Sequence, residues 1–130
     1  MITVLPVDRP APDIMQLVGN ALGTVFEVRE QGRLLGAMTL HPEPELLRVT
    51  AFVLFGLEQQ EGQAFCDWDV AELMLRAAAS YGKNRMIWRL VCGNTFPQPL
   101  AKRFNFVQIA EEWCLDIHCF LIGCKNCEKT

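Results

Sequence analysis

Acidic side chains follow a strongly apolar run, and they could do chemistry on an amine. Glu58, Glu61 and Asp67 lie between residues 47–56, whose second half is apolar at every position, and a helix-like pattern that begins at Asp69. A carboxylate beside a reacting amine can accept its proton as a general base. Because acids that line a cleft attract cations, the loop also predicts a small-molecule amine or a lysine-bearing peptide as partner. Glu58 is our candidate catalytic residue.

The same acids also have a structural interpretation. Asp67 and Asp69 stand where a helix should begin, and carboxylates in the first helical turn are stabilised by free N–H groups and by the helix dipole. Glu58 and Glu61 would then belong to a solvated acidic loop. The sequence leaves both interpretations open.

Cysteine and histidine side chains make the C-terminal part of the chain a second candidate region. Cys124 and Cys127 have the spacing of a metal-ligand pair, and His118 precedes them. A structural zinc site needs a second ordered pair, and a strand over residues 113–123 would divide the other candidates between its two faces. We therefore predict no metal site and mostly reduced thiols. A redox-active pair stays open as an alternative, because the neighbouring Lys125 would lower a thiol pKa.

A strand, a loop, a helix and a second strand should position these groups. The apolar run 47–56 is typical of a strand that is covered on both faces. Asp69 and Glu72 have the spacing of a capping box that opens a helix, Gly82 would close that helix, and residues 86–92 form a second buried strand. The predicted apolar face of the helix comprises Leu73, Met74, Ala77, Ala78 and Tyr81. Two strands joined through a helix are parallel, and ligands bind where the first strand meets the helix.

The rest of the chain predicts a mostly antiparallel sheet around this unit. Expected strands cover residues 2–7, 24–29, 33–40, 107–112 and 113–123, and expected helices begin at Asp13 and Leu100. Gly32 lies in the turn of a hairpin, Gly23 would end the first helix, and Asn105 would end the later one in a left-handed conformation. We predict a single α/β (α+β) domain over residues 1–123. Residues 124–130 would form a polar tail with the Cys-x-x-Cys pair.

Length and charge restrict the class of protein. A chain of 130 residues can bury a core without disulfides. Because 12 basic and 15 acidic side chains give a net charge of −3, nucleic acid is not an expected partner. The apolar runs are far shorter than the ~20 residues that span a bilayer, and the first residues lack a basic leader. We therefore expect a cytoplasmic protein without a membrane partner. Homodimer formation through apolar strand edges stays open.

Residues 82–106 carry a resemblance to a known family. Asn94 stands twelve residues after Gly82, Phe106 stands twelve residues after Asn94, and the helix before Phe106 ends in Lys102-Arg103-Phe104-Asn105. This pattern resembles the GNAT superfamily of acyl-CoA-dependent N-acyltransferases. Its members commonly have a helix ending in Gly, a strand, an Asn, and a helix ending in a Lys-x-Gly-Phe-like tetrad. The order of the predicted elements also fits the family along most of the chain.

The resemblance implies a fold, a cofactor and a reaction. The fold would be a mixed, mostly antiparallel sheet with one central parallel strand pair and flanking helices. Acetyl-CoA or another acyl-CoA would lie where the two parallel strands separate, near Asn94 and the backbone of Val53, Leu54 and Phe55. An amine would attack the thioester directly, with Glu58 as the base.

The loop that would hold the CoA pyrophosphate departs from the family pattern. In register with the other motifs, the family's Arg/Gln-x-x-Gly-x-Gly/Ala loop falls on residues 62–67, where Phe65 and Asp67 occupy the glycine positions. Ala101 stands where relatives often have a general-acid tyrosine. The resemblance therefore implies a divergent member. The alternative is a non-catalytic binding or regulatory module that kept the fold and lost CoA binding, with Phe65 and Trp68 filling the cofactor groove.

Overall fold

Within the described part of the chain, seven strands form one sheet and four helices pack on its faces. The structure is a computed structural model that describes residues 2–19, 22–55, 68–94 and 96–122. The elements are β1 Ile2–Val7, α1 Pro12–Val18, β2 Thr24–Glu30, β3 Arg33–Pro42, β4 Leu47–Leu54, α2 Trp68–Lys83, β5 Arg89–Cys92, α3 Gln98–Arg103, β6 Val107–Ile109, β7 Glu112–Asp116 and α4 Ile117–Ile122. The strand order is β1-β2-β3-β4-β5-β7-β6.

The central strands β4 and β5 are the parallel pair, and the remaining pairs of this sheet are antiparallel. This confirms the predicted mixed sheet. β5 is shorter than the predicted strand over residues 86–92, because the chain still turns at Met86, which has a φ of 61° and is 76% exposed. The backbone N–H of Ile87 donates to the carbonyl of Gly82, so this turn belongs to the end of α2.

Gly82 lies inside α2 and serves close packing. The helix continues to Lys83, so the predicted role of Gly82 as the residue that closes the helix is wrong. A Cβ atom on Gly82 would lie 2.9 Å from Cδ1 of Ile117 in α4 and 3.3 Å from the carbonyl oxygen of Ile87. The absence of a side chain lets α4 and the turn that follows α2 approach the helix closely.

The buried face of α2 differs from the predicted one. It comprises Val70, Ala71, Met74, Leu75, Ala78, Ala79 and Gly82. Leu73 is instead 40% exposed. Glu72 forms an ion pair with Arg76 at 2.8 Å, and Asp69 lies within the first turn, so the predicted capping box is also wrong. Successive side chains on a helix point in directions that differ by 100° about the helix axis. Which of them are buried depends on how the helix lies on the sheet.

The two faces of the sheet carry separate cores. On one face, α1 packs through Ile14 and Val18 against Val25 of β2 and Ala37 of β3. The other face carries the larger core, which includes residues of α2, α3 and α4.

The first helix ends at Gly19 rather than at the predicted Gly23.

The C-terminal region contains a helix where the sequence analysis predicts a strand. β7 ends at Asp116, whose carboxylate accepts a hydrogen bond from the backbone N–H of Cys119 at 3.1 Å and so caps α4. The prediction of a strand over residues 113–123 is therefore wrong beyond Asp116. The argument that such a strand would divide Cys and His side chains between its two faces does not apply. Cys124 and Cys127 lie outside the described residues.

The end of α3 confirms the prediction for Asn105. This residue has a φ of 64°, its N–H donates to the carbonyl of Lys102, and the N–H of Phe106 donates to the carbonyl of Ala101. These two bonds are the Schellman arrangement at a helix end. The predicted hairpin around Gly32 is likewise confirmed, since β2 and β3 pair antiparallel across that turn.

The edge strand β6 exposes apolar side chains. Val107 is 60% exposed and Ile109 is 54% exposed. Homodimer formation through a strand edge stays a prediction. None of the described helices has the length and apolar character needed to cross a bilayer.

Substitution of Gly36 by Ala should destabilise the fold. Gly36 lies on β3, where a Cβ atom would lie 2.5 Å from the carbonyl oxygen of Val53 and 3.3 Å from the Cα atom of Leu54. Because backbone must move to make room, we expect the free energy of unfolding to fall by about 1–3 kcal/mol, measured by urea denaturation.

Gly93→Ala is the matched control, since among the described residues, its two chain neighbours aside, no heavy atom lies within 4 Å of the position of its Cβ atom. Its effect should stay within about 0.5 kcal/mol. Equal effects of the two substitutions would contradict the close approach of β3 and β4 at Gly36.

Candidate functional site

The parallel pairing of β4 with β5 ends after three residues. The last paired residues are Val49 and Cys92, and β5 stops there while β4 continues to Leu54. Within the described residues, no strand pairs with residues 50–54 on the side away from β3. A gap between β4 and the segment after β5 is therefore bordered on one side by unpaired backbone.

A bulge on β4 coincides with the end of this pairing. Leu40 of β3 pairs with Val49 and Thr39 pairs with Ala51, so Thr50 is an extra residue on β4. The Thr50 hydroxyl donates to the carbonyl oxygen of Leu22 at 2.7 Å. Because a bulge bends the strand that carries it, Thr50 redirects β4 just where its pairing with β5 stops.

The alternation of the β3–β4 pairing decides which backbone groups of β4 face the gap. The N–H of Phe55 donates to the carbonyl of Leu35 on β3, at 2.9 Å. Backbone groups alternate sides along a strand, so those of Val53 also point to β3, whereas those of Phe52 and Leu54 point to the gap. Of the three predicted backbone positions, only Leu54 presents its N–H and carbonyl groups to this space.

Asn94 stands on the other border of the gap. It follows β5 after Gly93, and its side chain is exposed. Ala101 of α3 is fully buried in the larger core and carries no group that could donate a proton. The candidate base Glu58 and the loop at residues 62–67 lie outside the described residues.

Two aromatic side chains that the sequence analysis did not single out, Phe52 and Phe96, join β4 to the segment after β5. The rings of Phe52 and Phe96 meet edge to face with centroids 5.1 Å apart, and the Phe96 ring lies 5.3 Å from that of Phe106. Phe96 is 6% exposed. Its position after Asn94 is the signal that could have identified it.

Trp68 packs between the beginning of α2 and the end of α3. Its ring lies 6.5 Å from the ring of Phe104, and the guanidinium of Arg103 lies 5.3 Å from its centroid. This contact joins the two helices on the larger-core side of the sheet. Filling of the cofactor groove by Trp68 stays a prediction.

Two free cysteines lie on neighbouring strands, Cys92 on β5 and Cys114 on β7. Cys92, the last residue of β5, is buried, and burial is the main cause that raises the pKa of its thiol far above the ordinary value. Desolvation also raises the pKa of the Cys114 thiol. Both thiols are free, whereas Cys119 is disulfide-bonded, so the prediction of reduced thiols is wrong for Cys119. In the part of the chain that the structure describes, no group of three or more His, Cys, Asp and Glu side chains could hold a metal ion.

Arg48 links three segments on the opposite face of the sheet. Its Nε atom lies 2.8 Å from Glu43, and its Nη1 atom lies 2.5 Å from Glu112 at the start of β7. The hydrogen bond with Glu43, followed by that with Glu112, raises the pKa of the guanidinium. Because β5 lies between β4 and β7, these bonds hold the short parallel pair in place.

Solved structures share this architecture, whereas no family model matches the sequence and no curated protein matches it by sequence. A GNAT family acetyltransferase from Elizabethkingia anophelis with acetyl-CoA bound superposes with a TM-score of 0.60 at 14% identity, over 88% of this chain and 97% of that chain. A Bacillus subtilis acetyltransferase in complex with CoA gives a TM-score of 0.61 at 10% identity, over 89% of this chain and 99% of that chain. This chain has the GNAT fold.

A third similar structure shows how this GNAT fold occurs within a longer chain. N-acetylglutamate synthase from Neisseria gonorrhoeae, complexed with coenzyme A and L-arginine, matches with a TM-score of 0.63 at 14% identity. The match covers 90% of this chain and 33% of that one. At these identities the likeness concerns the fold, and the chemistry of the GNAT gap has to be argued from its own residues.

The stability of the GNAT domain should fall at alkaline pH through Cys92. Its folded-state pKa lies above that of an unfolded thiol, about 8.5. The folded state therefore keeps a proton that the unfolded chain loses as the pH rises. The contribution of Cys92 to the free energy of unfolding is complete below pH ~8.5 and declines above it by about 1.4 kcal/mol per pH unit. Urea unfolding between about pH 7 and pH 10 should show a smaller decline for Cys92→Ala than for the wild type.

Cys114→Ala is the control for this comparison. Its thiol is partly exposed, so its substitution should change the alkaline decline less than Cys92→Ala does. A decline that is the same in the wild type and in Cys92→Ala would contradict the assignment of Cys92 as a neutral buried thiol.

Proposed function

We propose that this protein is a GNAT-like N-acyltransferase that binds acetyl-CoA or another acyl-CoA in the gap between β4 and β5. The observation that carries this proposal is that, among the described residues, no strand pairs with the backbone of β4 beyond Val49 on the side of β5. Buried backbone groups need hydrogen-bond partners, and an extended ligand can supply them by lying along a free strand edge. The pantetheine arm of CoA contains amide groups that can donate to and accept from such an edge.

The two borders of the gap would hold the arm together. Leu54 directs its N–H and carbonyl groups away from β3, and Val53 and Phe55 keep β4 in register through their bonds to β3. The exposed side-chain amide of Asn94 offers both a donor and an acceptor from the opposite border. Similar solved structures with acetyl-CoA or CoA bound support this class of cofactor.

The reaction would transfer the acyl group directly. The nitrogen of a neutral amine attacks the thioester carbonyl, a C–N bond forms, the C–S bond breaks, and CoA leaves as a thiolate. Glu58 would take the proton that the amine loses. A thiol has a pKa of about 8.5, so its thiolate leaves without prior protonation, and the missing tyrosine at Ala101 does not prevent the step.

The acceptor would be a small-molecule amine or a lysine-bearing peptide. Glu58 and Glu61 add negative charge to the segment that follows β4, and this charge favours a protonated amine over an anion.

The second candidate is a non-catalytic binding or regulatory module with the same fold. Phe65 and Asp67 at the glycine positions of the pyrophosphate loop favour it, because a carboxylate repels phosphate and side chains keep the backbone from approaching it. Cofactor binding distinguishes the two candidates.

Acetyl-CoA should stabilise the protein against thermal unfolding. At 100 times its dissociation constant, a ligand of the folded state adds about 2.7 kcal/mol. Asn94→Ala should weaken the binding of acetyl-CoA about tenfold, which corresponds to a loss of about 1.4 kcal/mol of binding free energy. Asn84→Ala, an exposed amide at the end of α2, is the matched control and should leave the affinity unchanged. No shift for the wild type at millimolar acetyl-CoA would reject the enzyme in favour of the non-catalytic module.

Glu58→Gln should slow acyl transfer while leaving acetyl-CoA affinity unchanged. Loss of a general base lowers the rate about 10²–10⁴-fold and removes the corresponding limb of the pH–rate profile. The measurement is release of the CoA thiol with a polyamine or a lysine peptide as acceptor. Glu61→Gln removes the same charge from the same loop and should keep most of the activity. Equal losses in both variants would mean that charge alone, and not proton transfer at Glu58, matters.

A further inference from the structure

A cavity of about 450 Å³ lies between the C-terminal end of α2 and the strands β1 and β2. Small-molecule sites commonly have volumes of this order. Its apolar lining includes Val4, Phe26, Ala77 and Tyr81, and Arg85 is the only charged residue among the described ones that line it. We call this space the Tyr81 cavity. It shares no lining residue with the borders of the gap between β4 and β5.

The Tyr81 ring holds the guanidinium of Arg85 in a defined position. The Cζ atom of Arg85 lies 3.6 Å from the centroid of this ring, and its Nη1 atom donates to the carbonyl oxygen of Tyr81 at 3.2 Å. The backbone N–H of Arg85 donates to the carbonyl of Gly82 at 2.9 Å. The Tyr81 ring in turn meets the ring of the buried Phe26 edge to face at 5.5 Å. The positive charge is therefore oriented before any ligand arrives.

The charge of Arg85 has no carboxylate partner within the described part of the chain. Arg76 on the same helix is the contrasting case. Its guanidinium also lies over an aromatic ring, that of Phe120 at 5.3 Å, but Glu72 pairs with it at 2.8 Å. A guanidinium has five N–H donors, and the bond to the carbonyl of Tyr81 uses one of those of Arg85. The other donors remain available to a ligand.

The lining favours a carboxylate that is joined to an apolar group. A carboxylate can accept two parallel hydrogen bonds from one guanidinium, so a single arginine is sufficient for it. A phosphate dianion would need further positive charge, and no second cation lines the described part of the cavity. The C-terminal end of a helix disfavours an anion, but hydrogen bonds to a charged group are stronger than this dipole effect. Apolar side chains around the guanidinium favour burial of an aliphatic or aromatic body.

We propose that the Tyr81 cavity binds a small monocarboxylic acid with an apolar body. Its carboxylate pairs with the guanidinium of Arg85, and its body packs against Val4 and Phe26. The site is separate from the proposed acyltransferase site, and the inference does not depend on acyl transfer.

The ring of Tyr81 provides a direct measurement, because the sequence contains one tyrosine. In protein labelled with ¹³C in the tyrosine ring, titration with 3-phenylpropionate should shift the Tyr81 NMR signals until they saturate. The neutral 3-phenylpropionamide has the same body and should bind about tenfold more weakly, because it cannot form the ion pair. Arg85→Gln should weaken the binding of the carboxylate about tenfold and remove its preference over the amide.

Two further variants locate the ligand. Arg76→Gln is the matched control, because it makes the same substitution on α2 at an arginine that also lies over a ring but does not line the cavity. Its affinity for 3-phenylpropionate should equal that of the wild type. Ala77→Leu keeps Arg85 and adds volume inside the cavity, so it should also weaken binding.

Three results would overturn the proposal. They are the absence of a saturable Tyr81 shift at millimolar 3-phenylpropionate, equal affinities for the carboxylate and the amide, and an unchanged affinity in both Arg85→Gln and Ala77→Leu. Since the measurement contains no CoA, failure of this site leaves the proposed acyltransferase standing, and failure of acetyl-CoA to bind leaves the carboxylate site standing.

Discussion

The parallel pairing of β4 with β5 over three residues is the constraint on which the rest of this structure depends. It requires a crossover, which α2 provides, and it places the larger core under that helix. Gly82 lets α4 approach α2 closely, and Arg48 joins the neighbouring segments on the opposite face. These contacts hold a pairing that would be too short to persist alone.

The end of that pairing creates the candidate site. In the part of the chain that the structure describes, backbone groups of Phe52 and Leu54 lack a strand partner toward β5, and unpaired backbone is stable only with water or another partner nearby. A ligand arm along the edge could supply such partners. The rings of Phe52 and Phe96 also meet beyond the last paired residues, within the larger core.

The GNAT fold is retained here with about one residue in seven to ten identical to the matched structures. A fold depends on the pattern of burial and on a few backbone positions, which many sequences satisfy. Chemistry depends on individual groups. Ala101 and Cys92 illustrate the difference, since both pack well in the core near the gap and neither can transfer a proton at neutral pH. The fold and the activity must therefore be argued separately.

Local signals in the sequence determined the elements whose geometry depends on few residues. Gly32 in the hairpin turn, Asn105 at the end of α3 and the parallel pair around α2 were all predictable, because turn conformation and crossover direction follow from short-range sterics. Only the tertiary structure decided the buried face of α2, the helix after Asp116 and the contact of Phe96 with Phe52. These features depend on which surfaces meet across long sequence separations, and an apolar residue in a sequence does not specify its packing partner.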